Sequence, residues 1–122
     1  MKKYIILCLV LVFALSGCGG KPKGLSDKSY DTAKMAISVA DEYLDLKIEA
    51  KDAEAKLERL KDRLSDEKDI DSEIISTEIS ILKTELSMIA YNNLGNRLSK
   101  GGDTDVLDAR NELAEKINMK KR

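Results

Sequence analysis

The fold is decided by residues 26–64, whose sequence is SDKSYDTAKMAISVADEYLDLKIEAKDAEAKLERLKDRL. This stretch contains neither Gly nor Pro, and its apolar residues recur at alternating steps of three and four, the spacing of an amphipathic helix. The recurring positions are Ala36, Val39, Tyr43, Leu46, Ala50, Ala53, Leu57, Leu60 and Leu64. This pattern predicts one long helix with Ser26 or Asp27 as its N-terminal cap.

A second helix is predicted after a polar break at residues 65–69. If the first helix continued, its apolar seam would carry Glu67, Asp71, Glu78 and Glu85, which a packed seam does not tolerate. The observed apolar residues are shifted in phase and are Ile75, Ile79, Leu82, Leu86 and Ile89. We therefore expect a new helix, capped by Asp69, Asp71 or Ser72.

The two helices are predicted to fold back as an antiparallel hairpin. In an antiparallel pair the residue number rises along one helix as it falls along the other, so the numbers of two facing residues have a nearly constant sum. The two apolar seams satisfy this condition at six successive pairs. The facing pairs are Leu60 with Ile75, Leu57 with Ile79, Ala53 with Leu82, Ala50 with Leu86, Leu46 with Ile89 and Tyr43 with Asn93. Small alanines opposite leucines match the packing needs of such a seam.

A shorter third helix is predicted after Lys100-Gly101-Gly102, with Asp103 or Thr104 as its cap. Its apolar stripe is Val106, Leu107, Arg110, Leu113, Ala114 and Ile117. The predicted fold class is all-α, a coiled-coil-like antiparallel hairpin with a shorter third helix over residues 26–122. We expect a three-helix bundle at one end and a two-helix stalk whose tip lies about 60 Å away.

The chain begins with the features of an exported protein. Lys2 and Lys3 precede an apolar run over residues 4–15, followed by small residues. The run would extend only about 18 Å as a helix, against a hydrocarbon core of about 30 Å. A short apolar segment with a charged start predicts a cleaved signal peptide.

The end of this leader, Leu15-Ser16-Gly17-Cys18, resembles the lipobox of bacterial lipoproteins. The resemblance implies a signal peptide over residues 1–17 and a diacylglyceryl group on the sulfur of Cys18, with a further acyl chain such as palmitate on its amine in many bacteria. Residues 18–25 would then form a lipidated, Gly-rich tether. Because two or three acyl chains anchor firmly, the expected location is the extracytoplasmic face of a cell membrane, inner or outer. The alternatives are an ordinary secretory leader and an uncleaved anchor.

Composition excludes several classes of function. Residues 18–122 carry 19 basic and 22 acidic side chains, which argues against nucleic acid as a partner. The chain has no His, no Gly-rich phosphate loop and, after lipidation of Cys18, no free thiol, so we expect neither an enzyme nor a cofactor. Asp69, Asp71 and Glu73 imitate a calcium loop, but Ile74 stands where Gly is required. The basic end, residues 120–122, is interpreted as a solvated helix end or as a contact for anionic lipid or wall polymer.

The second predicted helix carries the candidate interaction surface. Five small polar residues give it an uncharged face, and three apolar residues recur every seven positions beside the main seam. The first set is Ser76, Thr77, Ser80, Thr84 and Ser87, and the second is Ile74, Ile81 and Met88. The small face is either an exposed face of no special role or a docking site for a helix. The apolar set is either a flank of the bundle or an exposed partner surface.

These features together predict a non-enzymatic, membrane-anchored module that binds another envelope protein. Exclusion lipoproteins of phages and conjugative elements are similar in size, lipidation and helical character, and this similarity implies a role in blocking incoming DNA. One alternative is a structural or wall-associated spacer similar to the major outer-membrane lipoprotein, although this chain has Arg122 where that family ends in a wall-linked Lys. Another is a self-assembling coiled coil, a homo-oligomer.

Overall fold

The computed structural model describes residues 20–92 and 100–122, with the side chains of residues 20–91 and 103–122. Within these ranges the fold is all-α, as predicted, and contains no strand. The helices are α1 (Asp27–Leu44), α2 (Ala50–Arg63), α3 (Ile70–Asn92) and α4 (Lys100–Lys116). No helix in the described ranges is long and apolar enough to cross a membrane. The predicted signal peptide and Cys18 lie outside the described residues.

The four helices form a bundle in which each packs against the next and α4 closes against α1. Lys28, at the start of α1, lies 3.4 Å from Asp66, just beyond the end of α2. Tyr43, at the end of α1, donates a hydrogen bond of 2.6 Å to Asp103, near the start of α4. Helices α2 and α4 therefore both run antiparallel to α1. Helices α1 and α3 lie diagonally and also touch through the centre.

The core is built almost entirely from aliphatic side chains. Helix α1 contributes mainly alanines, and α2 contributes two alanines and two leucines. Most of the larger residues come from α3 and α4. The fully buried members include Ile37, Leu57, Ile75, Ile79, Leu82, Leu86, Leu113 and Ile117. The apolar residues predicted for the α2 and α3 seams are buried, and the two helices pack on each other. All buried residues of the described ranges lie between Leu25 and Ile117, so a fragment of residues 19–122 keeps the whole described core.

The single long helix predicted for residues 26–64 is wrong, because it is interrupted between Leu44 and Ala50. Leu46 adopts a left-handed φ of 63°. Its N–H donates to the Tyr43 carbonyl at 3.0 Å, and the Lys47 N–H donates to the Glu42 carbonyl at 2.8 Å. This pair of hydrogen bonds is the Schellman motif that ends many helices. The chain therefore reverses direction after α1, although the heptad spacing of apolar residues in the sequence continues through this turn.

The interruption changes the shape of the molecule. Because α2 folds back along α1, the residues predicted to form a distant tip lie beside the start of α1, so the predicted two-helix stalk is also wrong. Leu46, placed on the seam by its spacing, is 86% exposed, whereas its predicted partner Ile89 is buried. Tyr43 pairs with Asp103, and its predicted partner Asn93 lies outside the described residues. Burial and the neighbouring Asp103 carboxylate raise the pKa of the Tyr43 hydroxyl.

We expect Leu46→Gly to stabilise the protein by about 0.5 kcal/mol, because Gly adopts the left-handed conformation without the strain of a Cβ. The Leu side chain contributes little, since it is largely exposed. In a continuous helix the same change would destabilise by about 1 kcal/mol. The sign of the change in the urea unfolding midpoint therefore distinguishes the two structures, and a lower midpoint would contradict the turn at Leu46.

A chain of hydroxyl groups joins the start of α1 to the start of α3. The Asp69 carboxylate only accepts, so the Ser72 hydroxyl donates to it at 2.7 Å. The Ser72 oxygen then accepts from Ser29, and the Ser29 oxygen accepts from the Ser26 hydroxyl at 3.0 Å. Ser26 and Asp69 also cap their helices, accepting from the N–H groups of Ser29 and Ser72. The hydroxyl and N–H of Ser72 hold the pKa of Asp69 below its ordinary value.

Ser72→Ala is expected to lower the free energy of unfolding by about 1–3 kcal/mol, because the fully buried Ser29 hydroxyl loses its acceptor. The double variant Ser29→Ala with Ser72→Ala should cost less than the sum of the two single changes, since it leaves no orphaned hydroxyl at either position. Ser38→Ala, on the exposed side of α1, is the control, with an expected change within about 0.5 kcal/mol. Additive losses in urea unfolding would contradict the hydroxyl chain.

The C-terminal segment packs back on the bundle. Helix α4 begins at Lys100, so Gly101 and Gly102 lie in its first turn and not at the predicted end of the preceding helix. A second Schellman motif, with Asn118 at a φ of 57°, ends it. Arg110 is buried and donates to both oxygens of Asp41, at 2.9 and 3.2 Å. Arg110 also donates to the Lys120 carbonyl at 2.8 Å.

The basic end of the chain is therefore not the solvated helix end predicted from the sequence, because α4 ends at Lys116. Arg122 pairs with Asp45 and, at 3.3 Å, with Asp41. Lys121 pairs with Glu115 at 3.0 Å. At least these two basic side chains are held by acids of the same molecule.

Candidate functional site

Helix α3 carries two apolar patterns on opposite sides. One side, which includes Ser72 at its start, faces the core and contains the residues predicted for the seam, Ile75, Ile79, Leu82, Leu86 and Ile89. The other side faces outward and contains Ile70, Ile74, Thr77, Ile81, Thr84, Met88 and Tyr91, which we call the outer stripe. Successive residues of the outer stripe are separated alternately by four and by three positions along its whole length. This is the spacing that brings a helix into contact with a partner helix.

The outer stripe is exposed from one end of α3 to the other. Ile81 at its middle is 44% exposed, and Met88 and Tyr91 toward its end are 56% and 78% exposed. Single exposed apolar residues are common, but a stripe of them along one helix face is typical of an interaction site. Close to its end, a shallow depression is lined by Lys83, Thr84, Ser87, Met88 and Tyr91.

The two threonines of the outer stripe use their hydroxyl hydrogens within α3. The Thr77 hydroxyl donates to the Glu73 carbonyl at 2.9 Å, and the Thr84 hydroxyl donates to the Ser80 carbonyl at 2.8 Å. These bonds satisfy the hydroxyl hydrogens within α3 itself. A side chain packed on the stripe therefore meets mainly aliphatic surface at these positions.

The small polar face predicted from the sequence is divided by the structure. Thr77 and Thr84 belong to the outer stripe, whereas Ser76, Ser80 and Ser87 are half-buried. Lys83, on that half-buried side of α3, contacts Glu58 of α2 at 2.5 Å. The hydrogen bond raises the pKa of Lys83 and lowers that of Glu58. The side of α3 with the three serines therefore borders α2, and the outer stripe is the part left open.

The chain matches no protein-family model, no curated protein and no solved structure. The geometry of α3 is thus the basis on which a function is assigned.

The sequence offered one further candidate, the calcium-like cluster at the start of α3. No group of three or more acidic or Cys side chains in residues 20–91 and 103–122 is arranged to hold a metal ion. Asp69, the first residue of the calcium-like cluster, caps α3 through the Ser72 N–H at 3.0 Å. A second depression, at the foot of the bundle, is lined by residues that include Pro22, Leu25, Asp71 and Lys116.

Among the eight residues predicted as a surface, Ile74, Ile81 and Met88 lie together on the outer stripe with Thr77 and Thr84. Sequence reasoning missed Ile70 and Tyr91, which extend the stripe at both ends and are largely exposed. The signal was present, because the alternating steps of four and three run unbroken from residue 70 to residue 91 once Thr is counted as an apolar position. The apolar frame of the core seam on the same helix obscured it.

Proposed function

We propose that this chain is a lipoprotein that is anchored through acylated Cys18 and binds another envelope protein through the outer stripe of α3. The observation that carries the proposal is the unbroken exposed stripe on a helix whose other side is buried in the core. Leu15-Ser16-Gly17-Cys18 supplies the anchor by its resemblance to the lipobox. This role needs no catalytic step and no attached group beyond the lipid on Cys18.

The mechanism is presentation of a preformed surface. The tether of residues 18–25 joins the anchor to Leu25, which is buried against the bundle. Because α1 and α2 fold back on each other, the partner would bind the side of a short bundle close to the membrane. Binding of an envelope protein in this way is compatible with an exclusion-type role, in which occupying a partner blocks its use by incoming DNA.

Photocrosslinking in living cells tests the binding surface. A photoreactive phenylalanine analogue at Ile81 or Met88 of the full-length acylated chain is expected to capture a discrete partner protein. The matched control places the same residue at Ser38, which is exposed on α1, the helix diagonal to α3. Equal capture from all three positions, or capture from none, would contradict the assignment of the outer stripe as the binding surface.

A further inference from the structure

The charges that border the outer stripe have one sign. In a heptad, the residue that precedes the first apolar position and the residue that follows the second lie along the two edges of the contact. Asp71, Glu78 and Glu85 occupy one edge of the stripe, and Glu73 occupies the other. The one basic residue of α3, Lys83, lines the depression near the end of the stripe, but its charge is paired with Glu58 of α2.

These border carboxylates form no ion pair with the side chains that the structure describes. Within residues 20–91 and 103–122, no Lys or Arg nitrogen lies within 4.0 Å of the carboxylate oxygens of Asp71, Glu73, Glu78 or Glu85. Lys116 lines the same depression as Asp71 at the foot of α3. Among the described residues, the acidic border is therefore least compensated along the middle of the stripe, beside Ile81.

The sign of the border decides which occupant fits. A second copy of α3 placed antiparallel on the outer stripe would bring the edge of Asp71, Glu78 and Glu85 against itself, and like charges at these positions are destabilising. In the parallel direction the same acids would face an edge that carries Glu73 and two serines, so neither direction supplies a basic partner. A helix with basic edges would instead form pairs with Glu78 and Glu85 while its apolar residues cover Ile81 and Met88. Charge complementarity of this kind selects partners and speeds their association.

We propose that the outer stripe of α3 binds an amphipathic helix of the partner protein whose apolar stripe is bordered by Lys and Arg. The inference rests on the proposed function and specifies the chemistry of the partner. Residues 70–91 extend about 32 Å, which matches a partner helix of about 20 residues. Thr77 and Thr84 are small, so bulky partner side chains pack opposite them.

Binding of designed peptides to the 19–122 fragment tests the proposal, with its helicity checked first by circular dichroism. The first probe is a fluorescently labelled 21-residue helix with Leu in the stripe and Lys at both edges. The second replaces the edge Lys residues by Glu, and the third has the composition of the first in scrambled order. We expect the first probe to bind at least about tenfold more tightly than either of the others, with an affinity that falls as salt is added. Equal binding of the first and third probes would overturn the proposal.

Two double variants separate the border charges from general attraction. Glu78→Gln with Glu85→Gln is expected to weaken binding of the first probe about fivefold. Asp52→Asn with Asp62→Asn, two exposed acids of α2, removes the same charge elsewhere and should change binding less than about twofold. Equal effects of the two double variants would overturn the proposal.

Ile81→Ser tests the apolar part of the contact and should weaken binding of the first probe about tenfold or more. A fragment that dimerises in sedimentation, and loses the dimer on Ile81→Ser, would make a second copy the occupant and overturn the proposal.

The crosslinking experiment separates this inference from the proposed function. A partner captured from Ile81 whose crosslinked segment is not a basic amphipathic helix would overturn the inference and leave the binding role intact. If no partner is captured from Ile81 or Met88, the binding role itself is contradicted, whatever the peptides do. A crosslinked segment with Lys and Arg at the edges of an apolar stripe supports both.

Discussion

Leu57→Ala is expected to lower the free energy of unfolding by about 2–5 kcal/mol. Leu57 is fully buried in α2, the helix that packs against both α1 and α3. Truncation removes buried methyl groups and leaves a cavity that the surrounding helices only partly close. Because small domains have about 5–15 kcal/mol of stability in total, the loss should be evident as a much lower midpoint in urea unfolding of the 19–122 fragment.

Leu46→Ala is the matched control, since both leucines occupy positions of the same heptad pattern. Leu46 is largely exposed in the turn between α1 and α2, so its truncation should change stability by no more than about 0.5 kcal/mol. Similar losses for the two variants would mean that Leu46 is buried in a continuous helix, contrary to the interrupted structure.

Cys18→Ser is expected to transfer the protein from the membrane to the aqueous phase and to block removal of the leader. Even one acyl chain contributes roughly 10⁴ M⁻¹ to membrane binding, so loss of two or three chains should lower partitioning by about 10⁴-fold or more. Detergent phase separation measures the partitioning, and gel mobility measures the retained leader. The uncut leader adds apolar surface, so both measurements are made beside a variant that begins at residue 19.

Cys8→Ser is the matched control for the sulfur. Cys8 lies inside the apolar run of the leader and would be removed with it, so this variant should be processed and partitioned like the unchanged chain. A Cys18→Ser protein that is still cut and still partitions with detergent would contradict the lipoprotein assignment.

The helical fold class and much of the core follow from the sequence because one physical signal controls both. The phase shift between the seam that ends at Leu64 and the seam that begins at Ile75 predicted a break, and α2 and α3 lie on its two sides. Caps add to this signal, since Ser26 and Asp69 have the short acceptor side chains that helix starts need, and both accept from the expected N–H groups.

The turn at Leu46 was not predictable from the sequence for a physical reason. Schellman motifs are usually signalled by Gly at the left-handed position, and this chain has Leu there. Helix propensity and heptad spacing both favour continuation through residues 45–49. What favours the turn is packing of α2 and α4 against α1, which is tertiary and has no local signature.

Buried polar groups were the other element that the sequence pattern missed. Ser29 and Ser72 lie in the core, although serines at such positions resemble surface residues. Their burial depends on contact between the starts of α1 and α3, which are far apart in the chain, because each hydroxyl is the hydrogen-bond partner of the other. Arg110 was predicted on the apolar stripe of the last helix and is buried there, but its pairing with Asp41 depends on the same long-range contacts.

The outer stripe was only partly predictable, because periodicity alone does not tell a buried flank from an exposed face. Ile74, Ile81 and Met88 recur every seven residues in either case. The distinction came from the packing of α4 and α2 on the two sides of α3, which leaves the face between them open. By contrast, the acidic residues at the edges of the stripe can be identified from the sequence once the stripe itself is known.

Attachment of the chain to a membrane through the single residue Cys18 is tested most directly by the intact mass of the protein extracted from membranes. The predicted mass is that of residues 18–122 plus a diacylglyceryl group on Cys18, with or without one further acyl chain. A chain that still begins at Met1, or that begins at Cys18 with an unmodified thiol, would contradict it.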